Sequence, residues 1–138
     1  YEAINALSEF ISLYPESDRV ADCRKYLFEM EDKLAYKELL SSKLYYNLGL
    51  YGGNNYRACV TTAENALKDF PETKYRDDLV FVILKAKSKE ASLSVEEKKR
   101  ERYSEVIDEY YRYANAFPDG KHIKEANRIL REAKNIVK

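Results

Sequence analysis

The chain has no tryptophan, one histidine, two cysteines, three prolines and four glycines in 138 residues. So few helix breakers argue against a loop-rich sheet protein and for long helices. No apolar run approaches the roughly 18 residues that mark a membrane-crossing helix. Excess charge of one sign is missing too, since Lys plus Arg and Asp plus Glu number 24 each. A balanced chain exerts no long-range pull on nucleic acid or anionic lipid. Catalytic signatures are also lacking: there is no G-x-S-x-G, no phosphate-binding glycine loop and no H-E-x-x-H. Cys23 and Cys59 stand outside any C-x-x-C and beside no histidine cluster, which argues against a metal site. Their plain reading is two small buried hydrophobes. A Cys23–Cys59 disulfide in an oxidising compartment stays open, because spacing alone does not decide it. His122, at the start of the last helix, reads as a solvated or capping side chain. The sequence therefore offers no catalytic residue, no cofactor site and no metal ligand.

What the chain does have is a frame repeated three times. Tyr14-Pro15, Phe70-Pro71 and Phe117-Pro118 each continue with an acid (Glu16, Glu72, Asp119) and a small residue (Ser17, Thr73, Gly120). Twelve, eight and four residues before these prolines stand Ala3, Leu7 and Ile11, then Cys59, Ala63 and Leu67, then Val106, Tyr110 and Ala114. Those offsets share one helix face, so each proline closes an amphipathic helix. A supersecondary unit present three times signals a helical repeat array, and such arrays usually bind other proteins.

The pattern predicts six helices in a single domain spanning 1–138. The first covers about 2–14, with Ala3, Ile4, Leu7, Phe10, Ile11 and Tyr14 inward, and Pro15 ends it. Ser17 or Asp18 is expected to cap the next helix. Nothing between Asp18 and Leu48 breaks a helix, which predicts one unusually long helix of about thirty residues, bent near 31–37. Val20, Cys23, Leu27, Met30 and Leu34 line it, and Leu44, Leu48 and Tyr51 are expected to resume the inner face. Gly52-Gly53-Asn54-Asn55 is the strongest turn. A third helix runs over about 55–70, thinned by Ala63 and Ala66 so that a neighbour can approach. Thr73 is expected to cap a fourth over about 74–91, with Leu79, Val80, Ile83, Leu84 and Ala86 inward. Ser94-Val95-Glu96-Glu97 reads as a capping box opening a fifth over about 95–117. Tyr103, Val106, Ile107, Tyr110, Ala114 and Phe117 stripe it. The sixth covers about 121–137, striped by Ile123, Ala126, Leu130, Ala133 and Val137.

Tetratricopeptide units repeat every 34 or so residues, whereas the prolines here lie 56 and 47 residues apart. The fold expected is an all-α, tetratricopeptide-like α-α superhelix with stretched units. The signature is partly met. Five residues before the proline a small side chain is expected, yet Phe10 and Tyr113 stand there and only Ala66 conforms.

Three runs carry a closer likeness: Asp32-Lys33-Leu34-Ala35, Tyr45-Tyr46, and Ala66-Leu67-Lys68-Asp69-Phe70-Pro71-Glu72-Thr73. Together they resemble the BamD lipoproteins of bacterial outer-membrane β-barrel assembly. Phe10-Ile11-Ser12-Leu13-Tyr14-Pro15-Glu16-Ser17 fits the preceding repeat, so the likeness covers about residues 2–91, including the 56-residue gap. It implies a non-enzymatic scaffold at the periplasmic face of the outer membrane, held by a lipidated cysteine upstream of Tyr1. The implied partners are the barrel-forming subunit, other assembly lipoproteins and unfolded outer-membrane proteins, with neither nucleic acid nor cofactor. Partner contact is expected in the C-terminal repeats, about residues 54–138. Residues 92–138 go beyond the family pattern. The alternative is a generic periplasmic tetratricopeptide adaptor in cell-envelope or polysaccharide assembly. The chain begins inside a repeat and is read as a fragment or an N-terminally trimmed form.

Candidate binding residues follow from what the stripes leave out. Tyr14, Phe70, Tyr103, Tyr110, Tyr113 and Phe117 fit repeat-core positions, which assigns much of the tyrosine excess to packing, but Tyr111 falls where the other repeats carry Ser8 and Glu64. Phe28 and Phe81 also lie beside their stripes. Each either contacts the next repeat or is an exposed binding residue. Tyr111 is the best exposed anchor, with Arg112 beside it. Tyr36, Lys43 and Asn47 lie on the helix face that tetratricopeptide arrays use for ligands. The mixed charges of Glu96–Arg102 read as a solvated helix face, with a basic clamp for an acidic partner as the alternative.

Overall fold

A computed structural model describes residues 1–138. It contains six helices and no strand: α1 (Glu2–Leu13), α2 (Val20–Leu48), α3 (Asn55–Asp69), α4 (Arg76–Ser92), α5 (Glu96–Ala116) and α6 (Ile123–Val137). α2 runs unbroken for 29 residues.

The three aromatic-proline turns are copies of one another. Tyr14, Phe70 and Phe117 close their helices with φ/ψ of −129/58, −129/64 and −133/67. Each donates its N–H to the carbonyl four residues back, at 2.9, 2.8 and 2.8 Å. Proline next in line holds its predecessor out of the α region, which stops the helix there. The small third residue then donates to the aromatic's carbonyl: Ser17, Thr73 and Gly120 at 3.1, 3.1 and 3.0 Å. Its own carbonyl accepts from Val20, Arg76 or Ile123, where the next helix opens. In the last copy only glycine fits. A Cβ on Gly120 would meet the Tyr113 hydroxyl at 2.5 Å and Phe117 Cβ at 2.9 Å. The α2–α3 turn uses Gly49, whose φ of 58° favours glycine and whose backbone lies against the Tyr56 hydroxyl.

Each helix packs on its chain neighbours, and α4 also touches α2 and α6, whereas the backbones of α1, α3 and α5 stay apart from one another. The even helices thus form one layer and the odd helices the other, with α4 at the centre. Contacts on both sides explain why α4 buries Leu79, Val80, Phe81, Val82, Ile83 and Leu84 in one run, more than the expected stripe. Off-stripe Phe81 is therefore a core residue, whereas Phe28 is exposed. One core joins α4, α5 and α6 through residues such as Tyr103, Val106, Tyr113 and Ile129. A second joins α2, α3 and α4 through Leu39, Cys59, Ala63, Ala66 and Ile83. Cys23 and Cys59 are separate free thiols, and burial pushes the Cys59 thiol up to about 11.

Several local expectations are corrected. Leu44, Leu48 and Tyr51 face outward, and the inner face of α2 instead continues through Ala35, Leu39 and Ser42. The Ser42 hydroxyl satisfies itself on the Glu38 carbonyl at 2.9 Å. Ala3 and Tyr14 are exposed, and α1 buries no residue. α2 opens after Arg19, whose N–H donates to Ser17 Oγ at 3.2 Å. α4 opens at Arg76, two residues later than expected. Thr73 Oγ1 accepts from the Tyr75 N–H at 3.3 Å, ahead of the helix, and donates to Asp32 Oδ1 at 2.6 Å, which also accepts from the Lys74 N–H. That pair locks α2 to the turn. Ser94 forms no capping box: its hydroxyl donates to the Glu90 carbonyl at 2.7 Å and accepts from Arg102, and Val95 is the residue before α5.

Candidate partner-binding groove

Between α2, α4 and α6 lies a cavity of about 310 Å³, with Lys43, Tyr46 and Asn47 on one wall, Asp78 and Lys85 on the middle helix, and His122 opposite. A second cavity of about 330 Å³ continues it past Tyr46 and Lys85 toward Lys89 and Arg128. Together they form a groove along the layer of even helices.

Its middle is fixed by charge and stacking. Asp78 Oδ1 lies 2.8 Å from His122 Nε2, and Lys121 Nζ donates to Asp78 Oδ2 at 2.9 Å. Burial raises the Asp78 carboxyl, but the hydrogen bonds from His122 and Lys121 outweigh it and leave the group below its ordinary range. The His122 ring stacks on Phe81 with centroids 4.3 Å apart and planes 8° apart. His122 is thus a packed, paired side chain, a correction to the solvated or capping role expected of it. Beside it the Tyr113 hydroxyl donates to Asp77 Oδ1 at 2.6 Å and accepts from the His122 N–H at 3.0 Å. Burial pushes that hydroxyl well above the usual tyrosine range. These bonds anchor the start of α6 to the first turn of α4. The partners are distant in sequence, so only the matching acid pair Asp77-Asp78 and basic pair Lys121-His122 hinted at them.

Three of the groove's remaining cations have no acidic partner. Lys85 Nζ sits 4.7 Å from the centre of the Tyr46 ring, a favourable cation–aromatic contact. Neither Lys43, Lys85 nor Lys89 forms an ion pair, whereas Arg128 is held by Glu125 and Glu132. Lys43 and Asn47 both line this groove. Tyr36 sits three turns before Asn47, half-exposed, with its ring 5.1 Å from that of Tyr75.

Tyr111 and Arg112 belong to a different place, on α5. Tyr111 is 45 % exposed, its ring edge-on to Tyr110 at 5.1 Å. Arg112 is not a free contact residue. Its guanidinium donates to both carboxylate oxygens of Glu64 on α3 at 2.6 and 3.2 Å and reaches Glu109 at 3.5 Å. The hydrogen bond to Glu64 raises its already high pKa further. The five sequence candidates thus divide between two helices and form no single site. Tyr46, Lys85 and the His122–Asp78 pair were missed, because each depends on helices distant in sequence.

A larger cavity of about 420 Å³ on the α3–α4–α5 side has Val60 as its one apolar residue. Its central Glu90 is already engaged by Arg57 at 3.3 Å and Arg102 at 3.9 Å. No group of three or more His, Cys, Asp or Glu is placed to hold a metal ion, and no helix is long and apolar enough to cross a membrane. A scan of protein-family models and a search of curated proteins find no match to the chain.

Proposed function

We propose that the chain is a non-enzymatic scaffold of the machinery that assembles β-barrel proteins into the bacterial outer membrane. In this reading it is a tetratricopeptide-like superhelix with α2 as its unusually long helix. It stands at the periplasmic face, held by a lipid anchor upstream, and binds the barrel-forming subunit, other assembly lipoproteins or unfolded outer-membrane proteins. The observation that carries the reading is the BamD-like set of runs, whose distant members Asp32 and Thr73 are joined at 2.6 Å. Those residues brace the stretched repeat, and Tyr111 on α5 offers an exposed aromatic anchor in the C-terminal half. The groove between the even helices favours a second reading, a periplasmic tetratricopeptide adaptor in cell-envelope or polysaccharide assembly. Affinity purification of the full-length protein from its native envelope tests the first. Co-elution of the barrel-forming subunit is expected. Its absence beside polysaccharide-assembly proteins would transfer the assignment to the adaptor.

A further inference from the structure

The outward face of α2 has a composition that neither core uses. Leu40, Leu44 and Leu48 are 48, 59 and 42 % exposed. Their spacing of four places them along one side of the helix over roughly 12 Å. Exposed leucines normally scatter; a line of three with no covering element marks a docking surface. On the second half of α2 itself the charges are mostly positive. From Lys33 to the end of α2 the charged residues are Lys33, Lys37, Glu38 and Lys43, and all three lysines are exposed while Glu38 is half-buried. None of the three lysines has an acidic partner, and Lys85 across the groove has none either. In a chain whose net charge is zero, this face is locally basic.

We propose that the α2 leucine line and the adjoining groove lysines dock an acidic amphipathic helix of another protein. A helix laid beside α2 would set its apolar stripe on Leu40, Leu44 and Leu48, as ridges pack into grooves between any two helices. Its Asp and Glu residues would meet Lys43 and Lys85 on the groove side, and Lys33 and Lys37 where the line continues toward the start of α2. A basic or uncharged helix would leave those lysines unanswered, so the charge pattern selects the partner. The inference deepens the scaffold reading by naming the chemistry of a partner.

Selection of a displayed library of random 20-residue peptides on the immobilised chain tests it. Wild type is run beside Leu44→Glu and Lys43→Glu/Lys85→Glu, with Leu40→Glu as the replacement should either fail to keep the wild-type circular dichroism and melting curve. The enriched peptides are expected to carry apolar residues three and four apart, flanked by Asp or Glu. An amidated synthetic copy should become helical on binding and lose at least tenfold in affinity for each variant. No enrichment, enrichment of basic peptides, or equal affinity for the variants overturns the proposal. So do three other occupants. These are an extended peptide that binds only through a free C-terminal carboxylate, phosphatidylglycerol vesicles released by the same substitutions, and a second copy of the chain in a dimer that Leu44→Glu dissociates. No assembly-machinery protein enters the experiment, so its failure leaves the β-barrel assembly reading to the co-elution result.

Discussion

α1 and α4 both carry leucines and isoleucines at helical spacing, yet α1 buries none of its residues and α4 buries nine. The difference lies in neighbours. α4 is packed by α2, α3, α5 and α6, while α1 rests on α2 alone. An amphipathic stripe supplies apolar surface, but only surrounding helices remove it from water. In a repeat array each unit's stability depends on the interfaces beside it, so the α1 end should be the weaker part of the molecule.

Substitutions can break that contrast. Ile83→Ala empties a fully buried site in α4 and should cost about 4 kcal/mol. Leu7→Ala on half-buried α1 should cost about 1 kcal/mol. Urea denaturation of the two variants checks both, and equal losses would mean that α1 is as firmly held as the centre.

The same contrast sharpens between adjacent residues of α5. Tyr110 is buried and its hydroxyl donates to Asn127 Oδ1 at 2.6 Å. Tyr110→Ala should cost about 3 kcal/mol, and Tyr111→Ala under about 1 kcal/mol because its ring is half outside. Thermal melts of the pair decide whether the inner and outer sides of α5 are assigned correctly.

Asp78 tests how the two halves of the groove are joined. Asp78→Asn keeps the shape but removes the charge facing Lys121 and His122, and should cost about 2 kcal/mol at neutral pH. The folded carboxyl titrates below its ordinary value. Its contribution is therefore complete above about pH 4, the unfolded value, and disappears as pH falls through the depressed one. Denaturation from pH 7 to pH 2 should show the gap between wild type and variant closing below about pH 4. A gap that is constant with pH would show that the charge contributes nothing.

The smallest effect is expected where two odd helices meet only through long side chains. Arg112 and Glu64 are both partly exposed, and their ion pair should contribute about 0.5 kcal/mol. A double-mutant cycle with Arg112→Met and Glu64→Gln measures that coupling directly. A value above about 2 kcal/mol would make the pair a principal tie between α3 and α5.

The three turns were legible because everything that makes them is local: aromatic, proline, acid and small residue in sequence. The inner stripes of α3, α5 and α6 were legible for the same reason of regular spacing. The second half of α2 was not. There Ala35, Leu39 and Ser42 turn inward and Leu44 and Leu48 turn out. A reading that ranks leucine above alanine as a core residue inverts that face. Ser94 was misassigned because the Glu90 carbonyl and Arg102 take up its hydroxyl, and Thr73 because α4 opens later, so that its Oγ1 accepts the Tyr75 N–H before the helix begins. Position off the stripe did not decide exposure, since Tyr111 is half-exposed and Phe81 is buried. The engagement of Arg112 by Glu64 was not legible, since those residues are 48 positions apart.

The central claim is that this chain works by holding a protein partner. Calorimetric titration of the folded chain with the periplasmic domains of the barrel-forming subunit tests it most directly. Wild type should bind, and Tyr111→Ala should weaken binding by about 1–2 kcal/mol, as expected of a moderately important interface tyrosine, with the melting curve nearly unchanged. Unchanged affinity in the variant would remove Tyr111 from the interface, and absence of binding by wild type would contradict the account.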